Sequence, residues 1–150
     1  MEQNTLMEKF GPCGLLCEKC FAYEKGSIKY HAGQLKDSLG DFDIYARRFV
    51  TLLEEPVFSK YKEFKELLDL FSHGSCKGCR KQDCHLFKTC GVKQCYKDKK
   101  VDYCYQCNDF PCNNTGFDEN LNHRWLLINE RIREIGLESY YNEIKDKPRY

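Results

Sequence analysis

Eleven of the 150 residues are cysteine, and their placement is uneven. Cys13, Cys17 and Cys20 stand near the start, and none follows until Cys76. Cys79, Cys84, Cys90, Cys95, Cys104, Cys107 and Cys112 then crowd into the stretch that ends at residue 112. Three pairs, Cys17-Glu-Lys-Cys20, Cys76-Lys-Gly-Cys79 and Cys104-Tyr-Gln-Cys107, have two residues between their sulfurs. Two thiolates at that spacing can grip one ion from a single tight turn, each turn supplying half of a tetrahedron. Gly14 and Gly78 sit at two of the bends, where the absence of a Cβ lets backbone amides point toward sulfur.

The alternative use of cysteine is the disulfide. An odd total cannot be consumed by full pairing, and no apolar stretch follows a basic one near the N-terminus, so no secretory leader is expected. The longest apolar run, Trp125 to Ile128, is far short of the ~20 residues of a membrane-spanning helix. These features point to a cytoplasmic chain without a membrane partner, in a compartment that keeps thiols reduced. All eleven cysteines are therefore candidate metal ligands, with zinc as the expected ion.

The composition shows why metal would matter. Leu, Ile, Val and Phe total 35 of 150 residues. Between residues 74 and 114 the only aliphatics are Leu86, Val92 and Val101, too few for a core of ordinary density. Thiolate zinc sites contribute about 10 to 16 kcal/mol, comparable to the whole ~5 to 15 kcal/mol of net stability of a domain. The spacing suggests one site from Cys76, Cys79, Cys90 and Cys95. A second would tie Cys17 and Cys20 to Cys104 and Cys107, leaving Cys13, Cys84 and Cys112 to complete or exchange into either.

Helices must carry these turns. Ser27 can cap a helix whose Ile28, Ala32, Leu35 and Leu39 share a face, with Gly40 as its stop. Phe42, Tyr45, Ala46, Phe49, Leu52 and Leu53 continue at helical spacing up to Pro56. Val57, Tyr61, Phe64, Leu68 and Phe71 predict a helix over 57–71, begun by Pro56 and ended at His73-Gly74. Thr115 and Asp118 have capping-box spacing ahead of Leu121, Trp125, Ile128, Ile132 and Ile135, which predict a helix over 116–135 before Gly136. Leu137, Tyr140, Tyr141 and Ile144 add a short one. The expected fold is mainly α, a small helical domain with cysteine-rich metal-binding turns. It forms a single domain over 1–150, with cysteine clusters at 13–20 and 76–112 and helical segments at 27–71 and 116–146.

At these residues the chain resembles an uncharacterised prokaryotic family, domain of unknown function family 3795. The shared features are CGLxCxxCxxY, here Cys13 to Tyr23, CxGC, here Cys76 to Cys79, and Cys90-x4-Cys95-x8-Cys104-x2-Cys107-x4-Cys112 with Pro111 before the last cysteine. It departs at Phe87, where members carry a cysteine, and its segment from Tyr23 to Cys76 is longer. The resemblance implies zinc binding and assigns no activity.

The expected function is a zinc-binding protein with structural thiolate sites, serving as a protein-interaction module, because all-thiolate sites are closed and leave no position for substrate. An iron–sulfur electron-transfer protein is the first alternative, since Cys13-x3-Cys17-x2-Cys20 has cluster-binding spacing. A zinc-knuckle nucleic-acid binder is the second, prompted by a charge of +4 over residues 74–114 and by Tyr96, Tyr103 and Tyr105 as stacking candidates. Two four-thiolate zinc sites at −2 each would cancel that charge, which disfavours a nucleic-acid partner. No catalytic residues are expected: His31, His73, His85 and His123 form no metal or nucleophile motif beyond the adjacent Cys84-His85.

Overall fold

The computed structural model describes residues 3–84 and 86–150, so His85 of the Cys84-His85 pair lies outside the described residues. Among the described residues the secondary structure is helical, with seven α-helices, three short 3-10 turns and no strand, as the mainly α expectation requires. The helices are α1 (Gln3–Lys9), α2 (Ser27–Leu39), α3 (Phe42–Leu52), α4 (Tyr61–Ser72), α5 (Val92–Asp98), α6 (Glu119–Ile135) and α7 (Leu137–Ile144). One isolated antiparallel bridge joins Phe10 and Leu16. Among the described residues no helix is long and apolar enough to cross a membrane.

The contacts gather in two compact units, where composition argues for one domain: Met1–Cys20 with Cys76–Tyr150, and Phe21–Ser75. The second unit holds α2, α3 and α4. Phe42, Phe49, Phe58 and Tyr61 form an aromatic cluster there, with Phe42 and Tyr61 centroids 5.1 Å apart. Lys65 and Asp43 pair at 2.7 Å between α4 and α3. Pro56 does not start the α-helix. It opens a 3-10 turn, Pro56–Lys60, because the Ser59 hydroxyl donates to the Pro56 carbonyl at 2.7 Å and competes for an acceptor the helix would use. The stripe over 57–71 thus becomes α4 only from Tyr61, and Leu68 is its buried member while Val57 and Phe64 are exposed.

The first unit carries every cysteine and two apolar clusters. Leu6, Phe10, Leu16, Tyr103, Ile132, Tyr140 and Tyr141 form one; Cys13, Leu15, Val92, Phe110 and Trp125 form the other. Helix α6 serves both, since Ile132 and Trp125 lie two turns apart on its inner face. Its start differs from the expected capping box. Asp118 is the N-cap, its Oδ1 accepting the Leu121 N–H at 3.1 Å. Thr115 lies outside the helix, its hydroxyl oxygen accepting the Phe117 N–H and its hydroxyl donating to Asn122 Oδ1. Gly136, at φ +85°, ends the helix as expected, a left-handed conformation in which a Cβ would be strained.

Candidate metal centre

Two of the three paired-cysteine turns are built alike. Cys17–Lys19 and Cys104–Gln106 are both 3-10 turns, each closed by the second cysteine's N–H on the first one's carbonyl, at 2.8 Å and 3.0 Å. In the downstream turn Gln106 reaches back, its Oε1 accepting from the N–H groups of Tyr103 at 3.0 Å and Asp102 at 2.9 Å. The third turn relies on Gly78, at φ +92°, whose carbonyl accepts from Lys81 N–H at 3.0 Å.

The fold then sorts the cysteines. Cys95 from α5, Cys104 and Cys107 from the 3-10 turn, and Cys112 line one pocket of about 20 Å³, closed by Phe110 and Trp125. Burial pushes the Cys104 thiol up to about 11, with Cys112, Cys95 and Cys107 opposing its ionisation and the Trp125 indole favouring it. Burial likewise raises Cys95, which feels Cys112 and Cys107. Trp125 is 1% exposed, and among the described residues its Nε1 has no oxygen or nitrogen partner; the Cys104 sulfur is its neighbour.

The other seven cysteines form a second neighbourhood. Cys79 is raised first by a hydrogen bond with Cys17 and then by burial, and it touches Cys84 as well. Cys76, raised by burial, feels Cys79, Cys20 and Cys84. Burial also raises Cys90, which feels Cys84 and Cys79. Cys13 and Cys17 both lie against Gly11, where an added Cβ would come within 3.3 Å and 3.4 Å of their sulfurs. Cys13 is buried, which pushes its thiol up strongly, and it senses Cys79, Cys104 and Cys90. It therefore stands between the two groups.

This sorting differs from the pairing suggested by spacing. Cys95 leaves Cys76 and Cys79 to join Cys104 and Cys107, and Cys17 and Cys20 face Cys79 and Cys76 instead. Cys112, spare in the sequence reading, completes the first group. Among the described residues no group of three or more His, Cys, Asp and Glu is set at metal-binding spacing.

Helix α6 holds both groups through one stripe that sequence reasoning missed. Trp125 lies beside Cys104, Asn129 Nδ2 donates to the Cys13 carbonyl at 2.9 Å, and Arg133 donates through Nε to Tyr105 O at 2.7 Å and through Nη2 to Cys107 O at 3.3 Å. These residues recur every four positions, so they share a face. The available signal was the polar Asn129 one turn beyond Trp125. A second brace is the close approach of residues 89–91 to 114–116, where Gly91 N–H donates to Thr115 O at 2.8 Å and Thr89 Oγ1 to Gly116 O at 3.0 Å.

The tyrosines considered for base stacking are engaged elsewhere. Tyr103 is 3% exposed and stacks on Tyr105 at 5.3 Å, with the Arg80 guanidinium 4.8 Å from its ring and 5.5 Å from that of Tyr96. Lys99 and Lys93 pair with Asp109 and Asp83. Of the histidines, His73 is bonded through Nδ1 to Asp69 O at the end of α4.

The chain belongs to DUF3795, a family of proteins of unknown function. The family model matches residues 9–117. That span contains all eleven cysteines and stops just short of the Asp118 cap, so Trp125, Asn129 and Arg133 lie beyond the matched DUF3795 segment. No curated protein and no solved structure matches the chain.

Proposed function

We propose that this chain is a zinc-binding protein in which Cys95, Cys104, Cys107 and Cys112 hold one ion in a structural role, within a protein-interaction module. The observation that carries this reading is the convergence of four thiols on one small pocket beneath a buried indole N–H that has no oxygen or nitrogen partner among the described residues. Metal-bound thiolates are stabilised by such outer donors, and a free thiol in the same place gives a buried N–H a poor acceptor. The donor set also fits: four sulfurs suit zinc, and a closed four-thiolate site leaves no open position for a reacting water. Arg133, by fixing the carbonyls of Tyr105 and Cys107, orients the turn that carries two of the ligands.

Element analysis of natively purified chain, paired with titration of reactive thiols before and after a chelator, tests this. Stoichiometric zinc that falls when Cys112→Ser or Cys95→Ser is introduced supports it. Zinc content unchanged in both variants, or no zinc bound by reduced chain at saturating metal, refutes it.

The seven-cysteine neighbourhood favours a second reading for that group, because it offers more sulfur than one tetrahedral ion uses and because Cys13 and Cys17 close on Gly11 from the cluster-like Cys13-x3-Cys17-x2-Cys20 run. An iron–sulfur cluster there would give broad visible absorbance and stoichiometric iron after anaerobic purification. Colourless, iron-free material from the same preparation would leave zinc as the ion for both groups.

A further inference from the structure

A pocket of about 120 Å³ lies between the Leu15–Lys19 segment, α6, α7 and the residues after α7, and none of the cysteines lines it. Ile128 and Ile144 give it an apolar side. Lys19, Arg124, Lys147 and Arg149 give it a cationic one, and among the described residues no carboxylate side chain lines it. Three of these cations are fixed by backbone carbonyls. Lys19 Nζ donates to Ile144 O at 3.1 Å, Arg124 Nη2 donates to Arg149 O at 2.8 Å, and Arg149 Nη1 donates to Leu16 O. A carbonyl accepts a hydrogen bond without neutralising the charge, so the tethers hold the cations in place and leave their charge uncompensated.

Two of the nearby acids are committed elsewhere. Glu18 pairs with Lys9 at 2.8 Å, and Glu143, which also feels the Lys147 charge, is taken by Arg131 at 2.5 Å. Among the described residues the Arg149 Nε is buried without a partner. Guanidinium groups carry five donors each in a planar fork, and the tethers described for Arg124 and Arg149 use one of each.

We infer that this pocket binds a phosphate group. A dianion with several acceptor oxygens can meet spare donors from two guanidinium forks and two ammonium groups together, which a single carboxylate with two oxygens does less completely. The volume admits the phosphate and the first atoms of whatever carries it, and Ile128 and Ile144 offer those atoms an apolar wall. Inorganic phosphate and a phosphate monoester share this chemistry.

The test is calorimetric titration of the full chain, at fixed ionic strength, with inorganic phosphate and with phenyl phosphate. Saturable binding is expected from at least one of them. Tighter binding of phenyl phosphate assigns an ester as the ligand, and equal affinity assigns free phosphate. Lys147→Gln, which breaks none of the described tethers, should weaken binding at least about fivefold, the worth of one pair of unit charges at contact distance in water. Arg124→Gln should weaken it further. Absence of saturable binding for both ligands overturns the inference. So does wild-type affinity in both variants while their amide spectra show the native fold.

Discussion

Replacing Asn129 by leucine isolates what the buried amide does for the first unit. The side chain is 0% exposed on α6, and its Nδ2 donates to Cys13 O at 2.9 Å and to Trp125 O at 2.8 Å. Each bond is worth about 1 kcal/mol net, and a carbonyl left without a donor costs about 1–3 kcal/mol. Trp125 O lies one helical turn before Asn129 and keeps the backbone bond of α6, so the newly orphaned acceptor is Cys13 O. Against this, Asn129 Oδ1 is itself buried with no partner, and deleting it returns a similar amount. The two orphan contributions cancel, and leucine fills nearly the same volume, so the expected loss is that of the two bonds, about 1–3 kcal/mol. Trp125 is the only tryptophan, so its fluorescence in urea reports this unit alone. The midpoint should fall with the slope unchanged, and the buried Cys13 should become open to alkylation as its turn loosens. A change below about 0.5 kcal/mol, or a gain, would refute the claim that the amide clamps the cysteine turn.

Other outcomes follow from the same contacts. Gly116→Ala should destabilise by at least about 1–3 kcal/mol in a thermal melt, because its φ of +68° is strained for alanine and the added Cβ would lie 2.1 Å from Thr89 O. Ile132→Ala, at a site 1% exposed, should cost about 2–5 kcal/mol in the same assay. Arg131 holds the Glu143 carboxyl below its ordinary range, first through their hydrogen bond, so the folded state binds that proton less readily than the unfolded chain does. The contribution is therefore present above the unfolded-state pKa of about 4.3 and is lost as pH falls through the depressed folded value. Acid titrations of wild type and Glu143→Gln, followed by α7 amide shifts, should differ above that acidic window and converge as pH falls through it.

Helical faces were legible where apolar residues alone carried the period. Leu121, Trp125, Ile128, Ile132 and Ile135 marked α6, and Gly136 marked its end, because burial of one stripe overrides local choices. Exact starts were less legible. Asp118 and Thr115 compete for the same orphan N–H groups, and only the backbone path decides which one caps. Helix α5 is not legible because Cys95, one of the residues facing the pocket from it, counts in the sequence as a ligand and not as part of an apolar face. Among its described side chains helix α1 has only Leu6, with Phe10 just beyond its end, as its buried signal. Cysteine grouping was illegible for a different reason. Spacing fixes which sulfurs share a turn, while the facing of turns depends on α6 contacts made more than a hundred residues away from Cys13.

The long segment between Tyr23 and Cys76 also acquires a physical meaning. Its helices form their own compact unit, with contacts such as Lys36 to Asp69 at 2.8 Å and Phe21 to Phe71 at 6.0 Å made within residues 21–75. Cys20 and Cys76, which bracket it, both belong to the cysteine-bearing unit and lie within electrostatic reach of each other. Closing a longer loop between two such points costs only about 0.6 kcal/mol for each doubling of length. A segment that brings its own helix contacts therefore adds little to the free energy of assembling the thiols at its neck. The cysteine framework can keep its geometry while the chain between Cys20 and Cys76 varies in length.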